Sequence, residues 1–142
     1  MPTPPATGPS YALASGAGGN QIGDGLISEP RFQRQGAATA YTTTATLTTA
    51  DLGGGLITTD ATGGAYNMTL PLAADMDTAF PNAGVNSALK FTVVSIGATN
   101  STTILTNTGW TLVGSMAVVT LTSVTFTARK TATGAWTLYR GG

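Results

Sequence analysis

The sequence contains no cysteine and no histidine, and its 142 residues carry only six basic and six acidic side chains. The missing cysteine excludes disulfides, thiolate metal sites and cysteine nucleophiles. The missing histidine removes the commonest general base and the commonest transition-metal ligand. Zero net charge argues against nucleic acid as a partner, since phosphate binding needs clustered lysine and arginine. Long hydrophobic runs are also absent. In the 38 residues from Phe91 to Ala128, which hold no charged residue at all, the longest run is Met116-Ala117-Val118-Val119. A spanning helix needs about 20 apolar residues, so no membrane segment is expected. Met1-Pro2-Thr3-Pro4-Pro5 has neither a basic nor an apolar signal region, so no cleaved leader is expected either.

What the chain does have is threonine, 28 residues of it, with 21 alanines and 19 glycines. Threonine is β-branched and sits well on a pleated surface, so a Thr-rich chain poor in Lys and Glu points to strands. The length is that of one domain.

Composition shifts near residue 40. Residues 1–40 hold five of the seven prolines, seven glycines, and only Leu13, Ile22, Leu26, Ile27 and Phe32 as large aliphatic or Phe residues. Such a segment buries too little to offset its ordering entropy. It is expected to be an extended arm that orders on a partner. Within it, Glu29-Pro30-Arg31-Phe32-Gln33-Arg34 combines two arginines, an aromatic and a stiffened backbone, the features of an interface anchor. Tyr11, Leu13, Ile22, Ile27, Arg31, Phe32 and Arg34 are the candidate contact residues of the arm.

Residues 41–142 alternate short strands with turn signals. A strand is expected over Tyr41 to Leu47 and a turn at Asp51 to Gly55. Ala61 to Ala65 is a loop of hairpin length between Leu56–Asp60 and Tyr66–Leu70. One helix is expected from Pro71, with Leu72, Met76, Ala79 and Phe80 on one face. Leu89, Phe91 and Val93 share a strand face, as do Val124, Phe126 and Ala128, and Trp136 with Leu138. Further strands are expected at Thr102–Thr106, Thr111–Val113 and Met116–Leu121. The expected fold is all-β: a single β-sandwich or jelly-roll-like barrel with one short helix and an extended N-terminal arm.

Candidate chemistry is thin. Asp75 and Asp77 are the nearest carboxylate pair, but residues two apart on a helix diverge, so their expected role is to solvate the exposed helix face. Gly16-Ala17-Gly18-Gly19-Asn20-Gln21 lacks the third glycine of a nucleotide loop, along with its flanking strand and helix. The sequons at Asn67 and Asn100 are frequent by chance in a Thr-rich chain. Trp110, Trp136 and Tyr139 are of the type that stacks on sugars, although alternation turns Trp136 inward. No catalytic residue, metal or cofactor is expected. The uncharged, proline-free stretch from Phe91 to Ala128 leaves strand edges without their usual guards, so either the strands close into a barrel or neighbouring chains cover the edges.

From Thr46 onward the chain resembles the capsid decoration, or cement, proteins of tailed bacteriophages. The resemblance is carried by Leu47-Thr48-Thr49-Ala50-Asp51-Leu52-Gly53-Gly54-Gly55-Leu56-Ile57-Thr58-Thr59-Asp60, by Thr69-Leu70-Pro71-Leu72-Ala73-Ala74-Asp75, by Phe91-Thr92-Val93-Val94, and by Gly109-Trp110-Thr111-Leu112-Val113-Gly114-Ser115-Met116. It spans about two thirds of the chain and leaves out residues 1–40. It implies a non-enzymatic virion protein on the outer capsid surface. The subunit would be a homotrimer bridging subunits of the major capsid protein, with no nucleic-acid or membrane partner. Related modules resemble parts of head and tail fibres, so a fibre or spike module that binds a host receptor is the alternative.

Overall fold

Ten strands and two short helices follow one another in the computed structural model, which describes residues 34–142. The strands are β1 (Thr39–Tyr41), β2 (Ala45–Thr46), β3 (Leu56–Thr59), β4 (Tyr66–Thr69), β5 (Ala88–Ser95), β6 (Thr102–Leu105), β7 (Trp110–Val113), β8 (Ala117–Val118), β9 (Ser123–Ala132) and β10 (Ala135–Arg140). The helices are α1 (Thr49–Gly54), between β2 and β3, and α2 (Ala73–Ala79), between β4 and β5. The fold is mainly β, as the composition predicts. Residues 35–142 form one compact unit.

Up to β8 the chain alternates between two sheets. Odd strands enter a six-stranded sheet of order β1-β3-β5-β9-β10-β7, and even strands enter a four-stranded sheet of order β2-β4-β6-β8. Up to β6, each strand therefore lies beside its next-but-one neighbour in the same direction, whereas β7 pairs with β10 and β8 runs antiparallel to β6. β1, β3 and β5 are parallel, and so are β2, β4 and β6. The hairpin-length loop at residues 61–65 consequently makes no hairpin, since β3 and β4 lie in different sheets. This crossing lets Ile57 and Met68, both fully buried, enter the core from different sheets. The β6–β7 connection at Asn107-Thr108-Gly109 crosses between sheets in the same way. Among the described residues the one tight hairpin is β9–β10, which turns at Thr133-Gly134. There Gly134 takes a left-handed φ of +68°, and the register shifts at Ala135/Trp136.

Three local expectations need correction. The strand expected over Tyr41–Leu47 breaks at Thr42-Thr43-Thr44 into β1 and β2, one in each sheet. The turn expected at Asp51–Gly55 is helix α1, so the described residues hold two helices rather than one. Thr48 caps α1: its hydroxyl accepts from the Asp51 amide at 3.2 Å, and the Asp51 carboxylate accepts from the Thr48 amide at 2.7 Å. Gly55 ends α1 at a left-handed φ of +79°. Helix α2 begins at Ala73 rather than Pro71. Leu72 is its extended N-cap and stays 41% exposed, while Met76 carries the buried face.

The alternation on the central strands holds as expected. Phe91 and Val93 on β5, Val124, Phe126 and Ala128 on β9, and Trp136 and Leu138 on β10 are all buried. Phe91 and Phe126 are register partners, stacked with their centroids 5.5 Å apart. Met68, Ile104 and Val118 of the four-stranded sheet belong to the same core cluster.

Gly109 marks the tightest point. A Cβ there would lie 2.3 Å from the Gly134 carbonyl oxygen and 2.5 Å from the Ala73 Cβ, and its φ is +85°. Gly109→Ala is expected to cost about 3 kcal/mol or more in urea unfolding. Gly84→Ala, where a Cβ meets nothing within 4 Å, should change stability by less than about 1 kcal/mol.

Candidate functional site

Helix α2 is fixed to the β9–β10 hairpin through one carboxylate. Asp77 accepts from the Gly134 amide at 2.6 Å, from the Trp136 indole N–H at 2.9 Å and from the Lys130 ammonium at 2.9 Å. These bonds favour the ionised form, the Gly134 amide most and then Lys130 and Trp136, and they pull the carboxyl down to about 2. The other indole completes the joint. Trp110, the register partner of Trp136 with ring centroids 6.0 Å apart, donates to the Pro71 carbonyl at 2.7 Å. The Thr108 carbonyl accepts from the Ala73 amide at 3.1 Å, and the Asn107 side chain donates to the Leu70 carbonyl at 2.8 Å. Asp77 was expected to solvate a helix face, and it is instead a structural acceptor. Asp75 stays exposed, so the two carboxylates diverge as residues two apart must.

A second carboxylate is used in the same manner. Asp51 is 6% exposed and accepts from the Tyr41 hydroxyl at 2.6 Å as well as from Thr48. Burial pushes its carboxyl up, but the bonds from Tyr41, Thr48 and Thr39 outweigh burial and leave it below its ordinary value. Burial pushes Tyr41 up to about 12, reinforced by its bond to Asp51 and by that residue's charge. Arg140 is likewise turned to the fold, donating to the Ser115 carbonyl at 3.0 Å and to the Ala117 carbonyl.

Two shallow grooves lie on the surface. One, of about 430 Å³, is lined by Gly53, Phe80, Pro81, Ala83 and Leu89 and holds no ionisable side chain. The other, of about 460 Å³, is lined by Thr46, Leu47, Pro71, Leu72 and Asn107, with Asp75 as its one carboxylate. Neither brings together the two titratable groups that acid–base work needs. Among the described residues, no group of three or more His, Cys, Asp or Glu is placed to hold a metal ion, and no helix is long and apolar enough to cross a membrane.

The sheet faces are the larger feature. On the outer face of the four-stranded sheet, register places Thr46, Asn67, Thr69, Thr103, Leu105 and Ala117, with no charged residue. The outer face of the six-stranded sheet carries Thr58, Thr92, Thr125, Thr127, Thr137 and Tyr139, with Lys90 and Arg129 as its charges. Thr92 and Thr125 hydrogen-bond to each other at 2.9 Å.

The sheet edges differ from expectation. The outermost strands are β1 and β7 in the larger sheet and β2 and β8 in the smaller, and they run for only 3, 4, 2 and 2 residues. Short outer strands are themselves a guard against pairing. The uncharged stretch from Phe91 to Ala128 covers much of the central pair β5 and β9, so its lack of charge follows partly from burial.

Of the candidate contact residues, Arg34 is exposed, next to Gln35, whose side chain donates to the Gly54 carbonyl at 2.6 Å. Tyr11, Leu13, Ile22, Ile27, Arg31 and Phe32 lie outside the described residues. The sugar-stacking aromatics are not presented to solvent as a group: Trp110 is 8% exposed and Trp136 is 2% exposed. Sequence reasoning passed over Asp77 as a structural acceptor and Thr48–Asp51 as a cap. The second was signalled by the T-x-x-D spacing, and the first had no local signal, because its partners lie 53 to 59 positions away.

No family model, curated protein or solved structure matches the chain.

Two titrations follow from these bonds. Asp77 has a folded value of about 2 against an ordinary 3.8, so it contributes stability that is fully present above about pH 4 and lost as pH falls through 2. Urea midpoints of the wild type should therefore drop more steeply between pH 4 and pH 2 than those of Asp77→Asn, and parallel curves would contradict the role given to Asp77. At alkaline pH, Tyr41 should ionise near 12 in an ultraviolet phenolate titration. Asp51→Asn should lower that step.

Proposed function

We propose that the chain is a non-enzymatic structural subunit of a tailed-phage virion, a decoration protein on the outside of the capsid. In this reading the two sheets form a β-sandwich, and copies of it, as a homotrimer, bridge adjacent subunits of the major capsid protein. The observation that carries the proposal is the surface chemistry. The outer face of the four-stranded sheet has no charge, and that of the six-stranded sheet is dominated by threonine hydroxyls. Such faces cost less to desolvate against protein than charged faces do. The two grooves, by contrast, assemble no reactive pair. The resemblance of the chain from Thr46 onward to decoration proteins supports the same reading.

The mechanism is mechanical. Each bridge adds buried area between capsid subunits that internal DNA pressure would separate. Residues 1–33 supply a second point of attachment on the same chain, so that binding of the domain raises the effective concentration of the arm at its site.

Labelled protein on purified particles should follow the head lattice, and label confined to the tail tip or absent from particles would overturn the reading. Deleting residues 1–33 is expected to weaken binding to heads by at least about 100-fold while leaving thermal unfolding of the β-domain unchanged. Undiminished decoration by the truncated chain would remove the arm from the mechanism.

A further inference from the structure

Three of the four carboxylates among the described residues are used inside the fold. Asp51 and Asp77 accept the bonds given above, and Asp60 accepts from the amide and the hydroxyl of Thr62. Asp75 is the exception. It is exposed, and its carboxylate pairs with no cation among the described residues. It is also the one charged side chain lining the groove of about 460 Å³ at the start of α2.

That groove is not separate from the uncharged sheet face. Thr46 belongs to both: it lines the groove, and register sets it in one row with Thr69 and Leu105 on the outer face of the four-stranded sheet. The apolar part of the lining is Leu47 and Pro71, both buried, and Leu72, which is 41% exposed. A protein partner that covers the sheet face therefore reaches the groove at Thr46 and meets Asp75 there. An ionised carboxylate sealed under protein without a counter-charge is strongly unfavourable.

We propose that the groove is the socket for a single arginine side chain of the partner protein, carried on a segment that is otherwise uncharged. Charge complementarity selects this occupant. The guanidinium pairs with the Asp75 carboxylate, while the methylene stem lies along Leu47 and Leu72, as long cationic side chains do on apolar surface. The hydroxyls of Thr46 and Thr49 offer acceptors to the remaining guanidinium N–H groups. An acidic segment would meet Asp75 as a like charge, and a wholly apolar one would leave it buried and unpaired. The inference rests on the function proposed above for the presence of a partner over this face, and it adds the chemistry that partner must bring.

The first part of the test needs no particle. Amide chemical shifts of the full chain are followed by NMR during titration with the peptide acetyl-Thr-Ala-Arg-Ala-Thr-amide. Shifts are expected at Thr46, Leu72, Asp75 and Asn107. A peptide with citrulline in place of arginine keeps the shape and loses the charge, and it should bind at least about fivefold more weakly. Asp75→Asn should weaken binding of the arginine peptide by the same factor, and Asp75→Glu should retain it. Asp75 is exposed, so these variants should fold, which thermal unfolding checks. The second part is binding of the same chains to purified heads that lack the protein. Asp75→Asn should weaken it at least about tenfold and Asp75→Lys at least about 100-fold, with Asp75→Glu close to the wild type. Absent shifts at the groove, equal binding of the citrulline peptide, or heads that take up Asp75→Lys as fully as the wild type would overturn the inference. A wild type that binds the arginine peptide in the groove but does not bind heads would overturn the function proposed above and leave the arginine socket standing.

Discussion

One carboxylate ties the helical segment of this fold to its sheet. Asp77 receives the Gly134 amide, the Trp136 indole and the Lys130 ammonium, and so joins α2 to the hairpin that contributes two neighbouring strands to the six-stranded sheet. The close approach at Gly109 depends on that joint, since Gly109 lies between the Gly134 carbonyl and Ala73. So does the placement of Trp110 against the Pro71 carbonyl. A single ion pair near the surface contributes little by itself. Here the pair belongs to a set of bonds that includes a main-chain amide and a buried indole, so moving any partner leaves another unsatisfied.

The same use of charge recurs across the domain. Asp51 caps α1 and accepts from Tyr41, and Arg140 serves the carbonyls that lead into β8. In a chain with so few ionisable residues, committing these to internal bonds leaves little charge for the outside. The bare sheet faces and the internal joints are thus two sides of one composition. The functional reading follows from that link: a surface left uncharged over a whole sheet is suited to contact with protein.

Much of the fold was legible in the sequence. Threonine content and period-two alternation indicated strands, and the inward sets Phe91–Val93, Val124–Phe126–Ala128 and Trp136–Leu138 are buried as read. The connectivity was not legible. A loop such as Ala61–Ala65 has the length of a hairpin whether its flanking strands pair or part, and nothing local distinguishes the two. Only the demand that Ile57 and Met68 reach one core from two sheets decides it. Helix α1 was passed over because Gly53 and Gly54, with the capping Gly55, look like a turn, although Thr48 and Asp51 have the spacing of a reciprocal cap. Strand edges drew attention, but these are closed by shortness, and the uncharged faces emerge only once register shows which residues look outward.

The central claim is that the outer face of the four-stranded sheet is a covered surface in the assembled state. Hydroxyl-radical footprinting of the full chain, dilute and then associated, measures this side chain by side chain. The account predicts slower oxidation at Leu105 on association, with Tyr139 on the outer face of the six-stranded sheet unchanged. Equal oxidation of Leu105 in both states, or protection centred on Tyr139, would contradict it.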